Sequence, residues 1–180
     1  MVEKKIIMTP EELDEIKRNL VLDDAGMITM LGKRYVITPQ DTFSDMMVAS
    51  ADIGGLNFAR VFMRRAGFEA AYKVCQSMIE NLGLTGEDLV IHYTKVGGKR
   101  GWSFDAVEEL DLKNNKFLCK AYYSPFVIRF NRKTNSPVCD FLRGVFEAMC
   151  FAAGYREIRI VETKCVAMGD EFCQFECKNE

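Results

Sequence analysis

The sequence predicts an α+β fold, with N-terminal helices packed on an antiparallel sheet of about four strands and a β-hairpin at the C-terminal end. Three observations predict it. Apolar residues recur at three and four spacing from Pro39 to about Arg65, strand-like runs rich in β-branched and aromatic residues follow Gly101, and the closing segments 156–165 and 172–177 flank a turn at Met168-Gly169-Asp170. A chain of 180 residues is long enough to bury a core without disulfides.

Taken in order, Thr9-Pro10-Glu11-Glu12 starts a short helix, with Thr9 as N-cap, Pro10 at the first helical position and Glu12 placed to complete a capping box; the helix runs to about Leu20. Met27–Leu31 and Arg34–Ile37 read as extended runs around a turn at Gly32-Lys33. Thr38-Pro39 starts the next helix, a long amphipathic one whose apolar positions include Phe43, Met46, Met47, Ile53, Leu56, Phe58, Val61 and Phe62. Gly54-Gly55 inside it marks a kink or a close approach of another group, and Gly67 is expected to end it. A helix from Phe68 to Leu82 follows, closed by Gly83; Glu87–Val96 reads as helix, with strand as the alternative. Trp102–Leu110 and Lys116–Tyr123 are strands around Lys113-Asn114-Asn115, Pro137–Ala153 is a helix, and the final hairpin closes the chain. Residues 1–25 form a helical extension and residues 26–180 one domain.

A net charge of −2 and a pI near 5.6 speak against a nucleic-acid footprint, which needs a basic face. The small basic cluster Lys95, Lys99, Arg100 around Gly97-Gly98 reads as a solvated loop. Met1–Met8 is too short for a signal sequence, and no apolar run approaches the roughly 18 residues of a membrane span. The expectation is a cytoplasmic protein, where seven thiols stay reduced.

The chemistry concentrates near the end. Cys165 and Cys173, eight positions apart, flank the hairpin turn, so both sulfurs can face one point; Glu162 lies on the same strand as Cys165, and Cys139 sits in the first turn of the preceding helix, where a thiolate is favoured. Three sulfurs and one carboxylate oxygen make a closed tetrahedral set that suits a structural Zn²⁺ and clips the hairpin to the helix. On spacing alone a second reading stands, that these are buried cysteines packed as small hydrophobes.

The runs Ser136-Pro137-Val138-Cys139-Asp140-Phe141-Leu142-Arg143-Gly144, Glu162-Thr163-Lys164-Cys165 and Met168-Gly169-Asp170-Glu171-Phe172-Cys173-Gln174-Phe175 carry a resemblance. From Gly26 to Lys178 the chain resembles the 4-vinyl reductase domain family, a small-molecule-binding module related in fold to the phenol-sensing domains of bacterial transcription activators and to core subunits of a Golgi transport tethering complex. The resemblance implies that Cys139, Glu162, Cys165 and Cys173 hold one zinc. It also implies an apolar ligand pocket between the long helices and the sheet, and a homodimer. Residues that could line the pocket are Phe43, Met47, Phe58, Phe62, His92, Trp102, Tyr122 and Phe126, although a helix stripe of Phe and Met is by default core. The sensors hold phenol with a histidine and a tryptophan; Trp102 belongs to a different motif, so phenol itself is not expected.

The function that follows is a zinc-containing domain that binds or senses a small hydrophobic ligand without catalysis. One histidine and no recognisable nucleophile elbow leave little for acid-base or covalent chemistry, though an enzyme is not excluded. Two alternatives remain open: a redox sensor in which Cys165, Cys173 or Cys177 oxidises and ejects zinc, and a reductase of a tetrapyrrole vinyl group, for which no Gly-x-Gly-x-x-Gly dinucleotide fingerprint is present.

Overall fold

The structure, a computed structural model, describes residues 9–30, 33–98, 102–130 and 134–178. Leu31, Gly32, Lys99, Arg100 and Gly101 lie outside the described residues, as do Met1–Met8 and the side chain of Glu12. The chain divides into two compact units, residues 1–39 and 40–180.

In the first unit, α1 (Pro10–Asn19) begins at the expected proline. It runs directly into β1 (Leu20–Leu22), which pairs antiparallel with β2 (Ile28–Met30), itself paired with β3 (Lys33–Tyr35). The two expected extended runs are present, joined by a third strand where the sequence suggests the end of the helix and its exit. Asp23 makes the β1–β2 turn: its Oδ1 accepts from the backbone N–H groups of Ala25 (2.9 Å) and Met27 (2.8 Å).

In the second unit, α2 spans Thr42–Leu82, and two expectations change. It starts after Asp41 and not at Thr38-Pro39, and it passes through Gly67 to end at Gly83, whose positive φ of 65° provides the left-handed stop. The expected kink is present, since Gly55 has φ 79° and ψ 165°, a conformation glycine alone adopts readily. Gly67 does not break the helix. It is the point where α4 (Asp140–Ala152) crosses: a Cβ at Gly67 would collide with the backbone carbonyl of Phe141, and one at Gly144 with the carbonyl of Arg64. The two glycines let backbone meet backbone.

That contact brings charges with it. Arg64 binds Glu147 through two hydrogen bonds of 2.6 and 2.7 Å, with the Glu147 side chain only 9% exposed. Arg60 lies 3.3 Å from the Asp140 carboxylate and donates to the Pro137 carbonyl at 2.6 Å. Arg143 Nε donates to the Ile160 carbonyl at 2.7 Å, which ties α4 to the sheet.

α3 (Gly86–Gly98) settles the Glu87–Val96 ambiguity as helix. Beyond it lies an antiparallel sheet of order β4-β5-β7-β6, formed by β4 (Phe104–Asp111), β5 (Lys116–Tyr122), β6 (Ile160–Lys164) and β7 (Cys173–Cys177). The α+β architecture with a four-stranded antiparallel sheet is therefore as expected. Alternation along β5 puts Phe117, Cys119 and Ala121 on the inner face, opposite Phe175 and Cys173 of β7. With Phe146, Met149, Leu142, Met63 and Met47 from the helices they form the core.

Replacing Gly144 with Ala must push α4 off α2 or shift its backbone, and a denaturant melt is expected to show a loss of about 1–3 kcal/mol, the range of core overpacking. Arg64→Met leaves Glu147 buried without its cation. The same melt is expected to show a loss of about 1–2 kcal/mol, moderated because Arg64 itself is partly solvated.

Candidate metal centre

Cys139, Glu162, Cys165 and Cys173 converge: one donor atom from each lies within 4.8 Å of every other. Cys139 is the N-cap residue of α4 and not part of its first turn, a shift of one position from the expectation. Glu162 is central in β6, Cys165 follows that strand directly, and Cys173 opens β7. Glu162 and Cys165 are three apart, an odd spacing that in a regular strand would send them to opposite faces. A bulge between Glu162 and Lys164 absorbs the difference, so that both side chains face inward with Cys173. The hairpin turn holds a short 3-10 segment, Val166–Met168, closed by Gly169 at φ 109°. Asp170 braces it by accepting from the Cys165 N–H at 2.8 Å.

The sulfurs of Cys139 and Cys173 are 3.5 Å apart and those of Cys173 and Cys165 3.9 Å apart. These are far longer than a disulfide and close to the edge of about 3.8 Å expected for a tetrahedron with metal–sulfur bonds of about 2.3 Å. The carboxylate is oriented by the Cys139 N–H, which donates to Glu162 Oε2 at 2.9 Å; Oε1 is buried with no hydrogen-bond partner. The Val166 N–H reaches Cys173 Sγ at 3.5 Å, and Ser124 Oγ lies 3.4 Å from Cys139 Sγ.

Without a cation the four groups cannot all ionise. Hydrogen bonds from Cys139 and Cys173 hold the Cys165 thiol far below its ordinary value. Burial, then the bonds to the other thiols, pushes Cys139 up, and burial beside the Cys165 charge raises Glu162 to about 9. A divalent cation would allow all four donors to be anionic together.

The other cysteines stand apart from this cluster. Burial raises the Cys150 thiol, whose ionisable neighbours are Cys177, Glu147 and Cys75, and raises the half-buried Cys177 to about 11.

Of the residues singled out as pocket lining, Phe43, Trp102 and Phe126 come together, with ring centroids 4.6 Å apart for Phe43–Trp102 and 5.6 Å for Phe43–Phe126. Phe141 completes the group, stacked on Trp102 at 5.4 Å and on Phe126 at 4.8 Å. The sequence marks it only as part of a helix stripe, because its place depends on the start of α4. Met47 is fully buried in the adjoining core. The rest lie elsewhere. Phe58 and Phe62 stack on each other on an exposed face of α2, and Tyr122 is on the outer face of the sheet against Phe172. His92 is half-buried on α3. The inner face of the sheet also carries Asp105, which the sequence does not single out because strand register alone shows which way it points.

Comparisons with known proteins agree with this architecture. Residues 118–179 match the model of the 4-vinyl reductase domain, and residues 15–107, just over half of the chain, match that of a domain of unknown function (DUF5943). Among solved structures, the phenol-responsive sensory domain of the transcription activator PoxR, solved with phenol, is 17% identical over 93% of this chain and 88% of its own, with a TM-score of 0.72. A vinyl-4-reductase family protein from Methanocaldococcus jannaschii is 18% identical over 99% of this chain and 98% of its own, with a TM-score of 0.54. Trafficking protein particle complex subunit 3 from Naegleria fowleri, covalently bound to palmitic acid, is 12% identical over 78% of this chain and 95% of its own; its TM-score of 0.49 is too low to speak for a shared fold. Comparison with curated proteins gave no match. The first two likenesses concern the fold, which the expected resemblance to 4-vinyl reductase domains also named. The chain belongs to the DUF5943 family and carries a 4-vinyl reductase domain over residues 118–179.

Proposed function

We propose that this protein is a sensing domain that holds a small hydrophobic molecule beside a structural zinc. The observation that carries the zinc is the convergence of three sulfurs and one carboxylate at separations that fit a tetrahedral cage. Cys139, Glu162, Cys165 and Cys173 would be its ligands. A closed set leaves no open position for substrate or water, so the ion supplies cohesion: it joins the N-terminus of α4 to the β6–β7 hairpin. The thiolate donors need a reducing compartment, and a cytoplasmic location is part of this reading. Among the described residues no helix is long and apolar enough to cross a membrane.

The ligand reading is supported by the ring cluster of Phe43, Trp102, Phe126 and Phe141, by the 4-vinyl reductase domain, and by the shared fold of the phenol-responsive domain. Apolar walls with few polar groups are the usual composition of a small-molecule site. A homodimer is part of the proposal. The face of α2 that exposes Ile53 (85%), Val61 (70%), Phe58 and Phe62 is larger than scattered apolar side chains would make it, and a second copy would cover it. The redox alternative draws less support, since Cys177, the expected oxidation partner, has a raised thiol pKa and lacks the thiolate that oxidation requires. No observation favours reduction of a vinyl group.

Cys165→Ser is expected to lower zinc content from one ion per chain by more than about tenfold and the melting temperature by roughly 10 °C, measured by metal analysis and calorimetry; unchanged values of both would overturn the cage. Native mass spectrometry of the protein as purified is expected to show a dimer with one zinc per chain and an added organic mass. A monomer, or zinc with no affinity for any apolar molecule, would remove the dimer or the ligand from the proposal separately.

A further inference from the structure

The inner face of β4 contains one residue out of keeping with its surroundings. Asp105 pairs directly with Ala121, Val107 with Cys119, and Leu110 with Phe117, so the acid sits in a row whose partners on β5 are all buried core residues. An acid in such a place normally has a cation beside it, because an unpaired charge among apolar groups is costly. None pairs with Asp105 among the described residues. Lys120, the nearest lysine in register, is on the outer face and binds Glu108 at 2.7 Å. Asp105 accepts a hydrogen bond from Ser103 Oγ at 2.7 Å. A carboxylate offers about four acceptor sites, so most of its capacity is unused. The residue as a whole is half-buried, while its carboxylate is closely surrounded by protein, so the acid is hemmed in without being sealed from solvent. That crowding raises its pKa to about 6, with the Ser103 bond opposing the shift.

Its neighbour in sequence explains where that capacity can be spent. Ser103 is 6% exposed and follows Trp102, whose ring joins Phe43, Phe126 and Phe141. A wall of aromatic rings with one converging acceptor is the pattern of a site for an apolar molecule with a polar head. We infer that Asp105, positioned by Ser103, is the polar anchor of the ligand site and takes the hydrogen-bond donor, an ammonium or a hydroxyl, of a small apolar molecule. The inference rests on the small-molecule reading above and gives it a chemical class: a donor-headed apolar ligand, not a bare hydrocarbon and not an anion.

The test uses three probes of one shape, benzylamine, benzyl alcohol and toluene, titrated calorimetrically into the zinc-loaded protein while the emission of Trp102, the sole tryptophan, is followed. Wild-type protein is expected to bind the amine and the alcohol at least about tenfold tighter than toluene, in line with one hydrogen bond to a charged group. Asp105→Leu is expected to lose that preference with toluene affinity unchanged, and Asp105→Asn to lose only the preference for amine over alcohol. Both variants are expected to melt at or above the wild-type temperature, since a binding acid is held at some cost to stability. Equal affinity for all three probes in the wild type, or donor affinity unchanged in Asp105→Leu, would overturn the anchor and leave the small-molecule reading in place. Failure of all three to bind would overturn both, and lower melting temperatures with unchanged binding would assign Asp105 a purely structural role.

Discussion

The contact between α2 and α4 governs the rest of the second unit. At Gly67 and Gly144 there is no side chain between the helices, so their backbones touch, and this fixes the height and direction of α4 relative to the long helix. The N-terminus of α4 is thereby held where Cys139 can donate its N–H to Glu162, and Arg143 can reach the Ile160 carbonyl on β6. Arg60 and Arg64 then find Asp140 at the start of α4 and Glu147 two turns along it. Buried ion pairs of this kind add little net stability but strongly penalise any other register, because a shifted helix would leave an acid unpaired. The donor cluster is thus a consequence of helix packing as much as of the hairpin that supplies most of its ligands.

The hairpin contributes a different constraint. Strand alternation allows residues two or four apart to share a face, and Glu162 and Cys165 are three apart. The bulge between Glu162 and Lys164 repairs the parity, and the 3-10 turn with Asp170 beneath it keeps Cys165 from swinging outward. The same bulge leaves Thr163 on the outer face, where its hydroxyl accepts from Gln174. A donor set that depends on an irregularity in the strand is one the chain maintains at a local cost in pairing.

What can be read from the sequence follows from how local each signal is. Thr9-Pro10, Gly83, the Met168-Gly169-Asp170 turn and the four donors are short-range features, and the structure places them close to where they are expected. Gly67 misleads because glycine at a helix end and glycine at a helix crossing look alike in one dimension. Only the position of α4, far along the chain, separates the two. Phe58 and Phe62 fall on the exposed side because a kink at Gly55 rotates the face that the apolar spacing defines, and Tyr122 points outward because alternation from the buried Ala121 sends it there. Phe141 and Asp105 escape notice for a related reason: neither is unusual in type, and both matter only for what faces them.

The ring cluster and the donor cluster are joined by two short backbone segments. Ser124 touches Cys139 while Phe126, two residues on, lies among the rings; Cys139 is a donor while Phe141, two residues on, stacks on Trp102. A molecule that displaced either ring would pull on a segment whose other end is anchored in the metal centre. Asp105, three residues from Trp102, is costly to keep. A folded-state pKa of about 6 against an ordinary value of 3.8 amounts to at most about 3 kcal/mol against folding at neutral pH. Because the pKa is raised, the cost is complete above about pH 6 and disappears as the pH falls towards about 4, the opposite of the usual behaviour of a paired carboxylate. The ionisable group near it on β5 is the Cys119 thiol, whose own pKa burial pushes far upward, so it stays neutral and offers no compensation. A core that needed only to fold would place valine there, and the acid makes sense as one half of an interaction whose other half arrives from solution.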